Sequence, residues 1–351
     1  MTQTYAQLMD LIESGLQDTT NAIWSTTELG LEFANCLREI SEYSPYRVKE
    51  PFVLESRTGT ATATTASALV DTTNVQFLAA DTNKLIYNTT DRTWAEVDSY
   101  VSTSQLTLSK DIMVSGEGYA MFHKGCSSAK EINIEDIDDY MWIEGVEYPT
   151  LGSPPNYRNW ELNGDILLLV YDLGIPDSAD SAPDIEVNVY FAKRHRVSQL
   201  TDLAGAIDLE GGYAAGTTTI HVDGLQAAAG TFEKDTEVTF YKTRGTYRVT
   251  ADVSFEAAAS ECDITIYPGL RNDIDDGDIV TIIGSSLNYR LERLLADLVI
   301  AKGKIKKSRI DTGGARKPGE LEVMGRNDLA LVYRDLERLA KPMVKRTWPR
   351  E

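Results

Sequence analysis

The sequence predicts an α+β protein: terminal helices form one helical bundle, with inserted antiparallel β-barrel or β-sandwich modules, two of them duplicated. Three observations predict it. Apolar residues recur at helical spacing near both ends of the chain. Residues 50–284 alternate β-branched or aromatic residues with polar ones, broken by Asp-Gly, Asn-Thr and Gly-Thr turns. That β-rich text also occurs twice in the same order.

The first helix is carried by Tyr5, Leu8, Met9, Ile12 and Leu16, with Thr4 as its N-cap. After a polar break at Asp18 to Asn21, Leu29, Phe33, Leu37 and Ile40 form a second apolar stripe, with Thr27 as candidate cap. It ends at "SEYSP", because a residue before proline is pushed out of helical geometry. Toward the other end, Leu287, Leu291, Leu294, Leu295 and Leu298 share one face behind Ser285 or Ser286 as cap, and Ile305 extends the stripe if the helix survives Gly303. The last helix is expected from Asn327, with Leu329, Val332, Tyr333, Leu336, Leu339 and Met343 inward and Pro342 ending or kinking it. Between these two, "SRIDTGGARKPGELEVMG" reads as a long arm. Neither helical pair is long enough for a domain alone, so the pairs are expected to pack together, with Phe33 and Leu336 in the core.

The expected partition is therefore a discontinuous bundle of residues 1–48 and 285–351, a first β-module at 50–125, a central β-rich segment at 126–205 and a second β-module at 206–284 that repeats the first. The repeat is read from five blocks. "GTATAT" (59–64) answers "GTTTIHV" (216–222), "DTNKLIY" (81–87) answers "DTEVTFY" (235–241), and "TWAEV" (93–97) answers "TYRV" (246–249). "QLTLS" (105–109) answers "DITIYP" (263–268), and "GEGYAMF" (116–122) answers "DGDIVTI" (276–282). In the central segment, "DILLLVYDL" and "IEVNVYF" are expected to pair as a hairpin across "GIPDSADSAP", and Pro154 and Pro155 to sit in a surface turn.

Composition narrows the function. The chain has 351 residues, 42% hydrophobic and 25% charged, which suits several folded cores. No run approaches the roughly 18 apolar residues of a membrane span, and "MTQTYAQLMDLIESGLQD" lacks a secretory pattern, so a cytosolic product without membrane contact is expected. The net charge is −20, unevenly spread. Of 34 Lys/Arg and 54 Asp/Glu, 16 and 9 fall within 290–351, leaving a balance of −27 before that stretch and +7 inside it. An acidic body repels phosphates and argues against base-reading contacts with DNA.

Catalytic motifs are not found. Cys36, Cys126 and Cys262 are odd in number and dispersed, which fits free thiols rather than disulfides or zinc ligands. His123, His195 and His221 are isolated in sequence and read as structural. "RNDIDDGDIV" fails the calcium-loop template, since Gly277 stands at the fifth position and Asp278 at the sixth, and a turn at Asp276-Gly277 explains it. "TGGARKPGE" lacks the order of a phosphate loop. "KRHRV" (193–197) reads as a solvated strand end, with a nucleic-acid contact as the sharper alternative. No catalytic residue, cofactor or metal is expected.

The helical frame, with "IWSTTELGLEFANCLREIS" near the start and "LADLVIAKGKIKKSRI … ALVYRDLERLAK" near the end, resembles the head–tail connector (adaptor or neck) proteins of tailed bacteriophages. "LVDTTNVQFLAADTNKLIYNTTDRTWAEV" and "ITIYPGLRNDIDDGDIVTI" are similar to β-modules of phage virion proteins. In the connector family a helical bundle forms a ring below the portal, and the last helix and tail of each subunit dock on it. The resemblance implies a structural virion protein rather than an enzyme, located at the head–tail junction and made in the host cytoplasm. It implies a homo-oligomeric ring of about 12 copies, bound to the portal protein and to tail or fibre proteins, enclosing DNA without sequence-specific contact. The docking element it implies is the basic tail, Lys341, Lys345, Arg346 and Arg350 around Trp348. Two alternatives stand beside it: another tail, baseplate or fibre-attachment protein, or a carbohydrate-binding protein using Trp94, Trp142, Tyr157 and Trp160 as stacking platforms.

Overall fold

The computed structural model describes all residues except 1–2, 21–22, 138–139, 151, 153, 171–185, 199, 201–202, 226–228, 244, 257–259, 311–317 and 341–351. The chain is mixed α+β and forms two compact units, residues 1–46 with 193–351, and residues 47–192. The first unit holds a helical bundle and a β-barrel; the second holds two six-stranded sheets.

Among the described residues the bundle has four α-helices, α1 (Tyr5–Leu16), α2 (Thr26–Tyr43), α3 (Tyr289–Ile310) and α4 (Pro318–Leu339). Thr4 caps α1 in a capping box with Gln7. Ser25, not Thr27, caps α2, because Glu28 three residues on completes a reciprocal box with it. Asn288 rather than Ser285 or Ser286 caps α3, its side chain accepting from Leu291 N–H at 3.0 Å. The two serines are engaged by the preceding linker, where Ser286 Oγ accepts from Arg196 N–H and Ser285 Oγ donates to the Arg196 carbonyl. Leu8, Ile12, Phe33, Ile40, Leu295, Leu298 and Leu336 share one core, so the helical stripes of both ends meet as expected.

The long arm is shorter than its composition suggests. α3 runs through Gly303 to Ile310, and α4 begins at Pro318 rather than Asn327, leaving residues 311–317 between them. Proline is favoured in a first helical turn, and the glycines that read as breakers are contact positions. A Cβ at Gly325 would stand 2.9 Å from the Ala301 carbonyl oxygen and 2.8 Å from Ile305 Cγ1. A Cβ at Gly303 would meet Leu16 Cδ2 at 2.8 Å. Close packing of α3 on α1 and α4 offsets the roughly 1 kcal/mol cost of each glycine in a helix. Met343 and Pro342 lie outside the described residues.

The second unit carries β1 (Tyr46–Val53), β2 (Thr58–Thr60), β3 (Ala68–Val70), β4 (Leu85–Asn88), β5 (Thr93–Ser102), β6 (Gln105–Leu108) and β7 (Gly118–Phe122). It continues with β8 (Glu131–Asn133), β9 (Tyr140–Glu147), β10 (Tyr157–Asn163), β11 (Ile166–Val170) and β12 (Glu186–Lys193). One sheet has the order β1-β12-β9-β10-β11-β8. The expected hairpin of β11 with β12 is therefore not formed. β11 pairs instead with β10 through the tight Asn163–Ile166 turn, where Gly164 has φ 61°, and β12 lies between β1 and β9.

The other sheet has the order β2-β7-β4-β5-β6-β3, with Leu69, Phe77, Ile86, Val97, Leu106 and Met121 in its core. Thr62, just past the edge strand β2, donates its N–H to the Val70 carbonyl on the other edge strand, β3, at 2.7 Å. In the first unit, β13 (Leu203–Ile207), β14 (Thr219–Asp223), β15 (Gly230–Phe232), β16 (Glu237–Phe240), β17 (Tyr247–Val249), β18 (Val253–Phe255), β19 (Cys262–Tyr267) and β20 (Ile279–Ile283) follow. Six of them close into a barrel whose circular order is β13-β20-β16-β17-β19-β14, and β15 pairs with β18 alone.

The sheet and the barrel share one strand order, with β2, β3, β4, β5, β6 and β7 in the places of β13, β14, β16, β17, β19 and β20. Four of the five repeated blocks fall on equivalent strands. The first does not: residues 59–64 leave β2, whereas 216–222 enter β14, the counterpart of β3. Runs of Gly and Thr match one another whichever strand they enter, so that block carried no register.

Candidate functional site

The expected docking residues Lys341, Lys345, Arg346, Trp348 and Arg350 lie outside the described residues. The structure defines the helix that precedes them. α4 is held on α3 and α2 by Leu336 and Val332 and by the Lys304–Asp328 ion pair, and further ion pairs of the basic residues of α3 tie that helix to α2. Lys302 reaches Glu39 at 2.6 Å, Lys306 pairs with Glu32, and Lys304 reaches Asp328 at 2.8 Å. Tyr333 donates its hydroxyl proton to Glu39. On α4 itself, Arg326 pairs with Glu322 and Arg338 with Asp335. Much of the positive charge of the hairpin is thus matched by carboxylates within the bundle. The 341–351 segment contains four basic residues and one acidic residue, Glu351.

The basic group at 193–197 is not a solvated strand end. His195 is 7% exposed and ties the bundle to the linker. Its backbone N–H donates to Ser41 Oγ, its Nε2–H donates to the Ser44 carbonyl at 2.8 Å, and Nδ1 is left to accept from Ser286 Oγ at 3.0 Å. Burial pushes its pKa below the ordinary histidine value. Arg196 donates to Thr236 Oγ1 and the Ile283 carbonyl on the barrel. An imidazole and a guanidinium engaged in this way are structural joints, and Lys193 is buried, while Arg194 is exposed.

The four aromatic residues considered as stacking platforms are not brought together. Trp94 on β5 is packed between Tyr87 and Phe122, at ring-centroid distances of 4.4 and 5.7 Å. Tyr157 and Trp160 stand three residues apart on β10 and so point to opposite faces. Trp142 on β9 is 42% exposed.

The second unit contains a buried ionic cluster that the sequence did not disclose. Arg57 donates to both carboxylate oxygens of Glu55, at 2.9 and 2.7 Å, and to Asp81, while Lys84 reaches Glu55 at 2.6 Å and Asp81 at 2.9 Å. Burial alone would raise the Glu55 carboxyl, but the Arg57 hydrogen bonds and the Lys84 and Arg57 charges outweigh it, leaving a pKa of about 2. The cluster joins the segment before β2 to the segment before β4, and its side chains are 0–16% exposed. The thiols are shifted by burial as well, which pushes Cys36 and Cys126 up to about 12 and Cys262 to about 11.

The acidic turn before β20 carries its own cation. Gly277, at φ 78°, makes the turn, and Lys242 reaches Asp278 at 2.9 Å and Asp275 at 3.1 Å. A different cluster does converge. His221 on β14 stands opposite Asp263 on β19, and the two make a 2.6 Å contact at Nδ1. Its Nε2 lies 3.8 Å from Asp208 and 3.7 Å from Glu261. Sequence reading missed this set because its members come from β14 and from the ends of β13 and β19, which only the barrel register brings together.

No protein-family model matches the chain, and no curated protein matches it. Among solved structures it has a weak likeness to the flagellar hook junction protein FlgK from Burkholderia pseudomallei, with 12% identity and a TM-score of 0.14. The match covers 96% of this chain and 58% of that one, so the chain spans less than two thirds of that protein's length. A likeness at that TM-score supports no statement about fold or function.

Proposed function

We propose that the chain is a structural virion protein of a tailed bacteriophage, a subunit of the ring that joins the portal to the tail and continues the DNA conduit. The observation that carries this reading is the meeting of helices from both ends of the chain in one bundle, whose last helix leads directly into the basic 341–351 segment. With most helical charge matched internally, that segment is the element suited to an acidic groove on the portal, and Trp348 is its anchor, since aromatic and Arg residues dominate interface energetics. The repeated strand order of the sheet and the barrel supplies two similar surfaces per subunit for neighbours, tail or fibre proteins. The acidic balance of the first 289 residues lets DNA slide past without being gripped.

Binding of the purified chain to portal rings encoded by the same genome tests the proposal. The full chain binds; a chain ending at Ala340 does not, and Trp348→Ala weakens binding by about 30-fold, with helicity unchanged. Unchanged binding by the truncated chain would remove the docking assignment. Failure of the full chain to bind would remove the connector reading.

A further inference from the structure

Alternation along a strand turns every second residue outward. On β14, Ile220 and Val222 point into the barrel core, so His221 points out. On β19, Cys262 and Ile264 point in, so Glu261 and Asp263 stand on the outer wall. Asp208 follows Ile207, which is also in the core, and its backbone N–H donates to the His221 carbonyl. The register therefore lays one imidazole and three carboxylates side by side across β13, β14 and β19.

Three neighbouring carboxylates repel one another unless a cation stands among them; the imidazolium is one such cation, since the Asp263 hydrogen bond and the neighbouring carboxylates push the His221 pKa up, and a metal ion is another. The arrangement around the imidazole is directional rather than a loose acidic patch. The 2.6 Å contact of Nδ1 with Asp263 fixes the ring orientation and aims Nε2 at Asp208 and Glu261. At 3.8 and 3.7 Å those carboxylates are too far for hydrogen bonds to Nε2. The three ligand atoms offered by Asp208, His221 and Glu261 lie within 4.8 Å of one another. Ligands at about 2.0–2.2 Å around a tetrahedral ion stand about 3.3–3.6 Å apart, so the Nε2 separations need only small side-chain movements. A carboxylate on the second nitrogen of a ligating histidine is the usual outer support of such sites, raising ligand basicity and holding the tautomer.

We propose that Asp208, His221 and Glu261 bind a divalent transition-metal cation of the zinc class on the outer wall of the barrel, with Asp263 as the positioning residue for His221. One nitrogen and two carboxylates suit Zn²⁺ or Mn²⁺ better than Ca²⁺, which takes six to eight oxygens. The remaining coordination positions are open to water. The ion clamps the end of β13 to β14 and β19, cross-linking strands of the barrel. This site is independent of the connector reading.

The test is titration of the full chain with ZnCl₂ at neutral pH, followed by calorimetry and by metal content after dialysis, together with thermal unfolding. The proposal expects one Zn²⁺ per chain and a raised unfolding temperature. His221→Ala and Asp208→Asn abolish both while leaving the circular dichroism of the unliganded chain unchanged. Asp263→Asn keeps the site but weakens it by about 10–100-fold, and Cys262→Ser binds as the parent does. Absence of binding up to about 1 mM Zn²⁺, or binding that survives His221→Ala, would overturn the proposal. Loss of binding in Cys262→Ser would also overturn it, by moving the ligand set to the thiol.

Discussion

The placement of α4 rests on a glycine, and that makes a signed prediction. α4 contains Gly319 and Gly325. In a helix, Gly→Ala gains up to about 1 kcal/mol because alanine loses less backbone entropy. At Gly319 a Cβ meets nothing within 4 Å, so Gly319→Ala should stabilise the bundle by about 0.5–1 kcal/mol. At Gly325 the same methyl would stand 2.9 Å from the Ala301 carbonyl oxygen and 3.1 Å from the Ile305 nitrogen. Both are backbone atoms of α3 and cannot rotate away. Overpacking of this kind costs about 1–3 kcal/mol, so after the propensity gain Gly325→Ala should destabilise by about 1 kcal/mol. Guanidinium denaturation followed by far-ultraviolet circular dichroism, which reads the helices most strongly, compares the two variants with the parent. Two stabilising substitutions of similar size would mean that α4 does not approach α3 at Gly325. The packing of α4 on α3 would then be wrong as well.

Two further outcomes concern the cores. Leu336 is fully buried among α2, α3 and α4 residues, so Leu336→Ala should cost about 2–5 kcal/mol in the same assay; a cost under 1 kcal/mol would place α4 outside the core. In the second unit the folded pKa of Glu55 is depressed, to about 2. Its stabilisation is therefore complete above the ordinary carboxyl pKa of about 4.3 and is lost as pH falls from there toward 2, at most about 3 kcal/mol. Hydrogen-exchange protection of β4 and β7 should fall across that window and be lower at neutral pH in Arg57→Met, which leaves buried carboxylates underpaired at a cost of about 3–5 kcal/mol. Protection that ignores both changes would refute the role assigned to the cluster.

Legibility in the sequence followed the range of the interaction. Thr4 and the stripe Leu8, Ile12, Leu16 could be read directly, because capping and helical periodicity are local. The strands of both modules were legible as alternation, and four repeated blocks fell on equivalent strands because each carries strand residues in their alternating order. Gly325 was misread, since a contact glycine and a breaker look alike until the partner helix is placed. β11 and β12 were misread because adjacency in sequence is a prior, and β10 offered β11 a tighter turn. His195 was legible as structural, but the run around it read as a solvated strand end, because its partners Ser41, Ser44 and Ser286 come from distant parts of the chain. Asp208, His221 and Glu261 form a set only through barrel register, which no spacing rule encodes.

The central claim, that this chain is one ring of a virion's head–tail junction, is tested most directly by counting it. Quantitative mass spectrometry of purified particles compares its copies with those of the portal protein. The account predicts equal copy numbers. A multiple or a small fraction of the portal count would place the chain in the tail or the fibres, and its absence from particles would contradict the virion reading altogether.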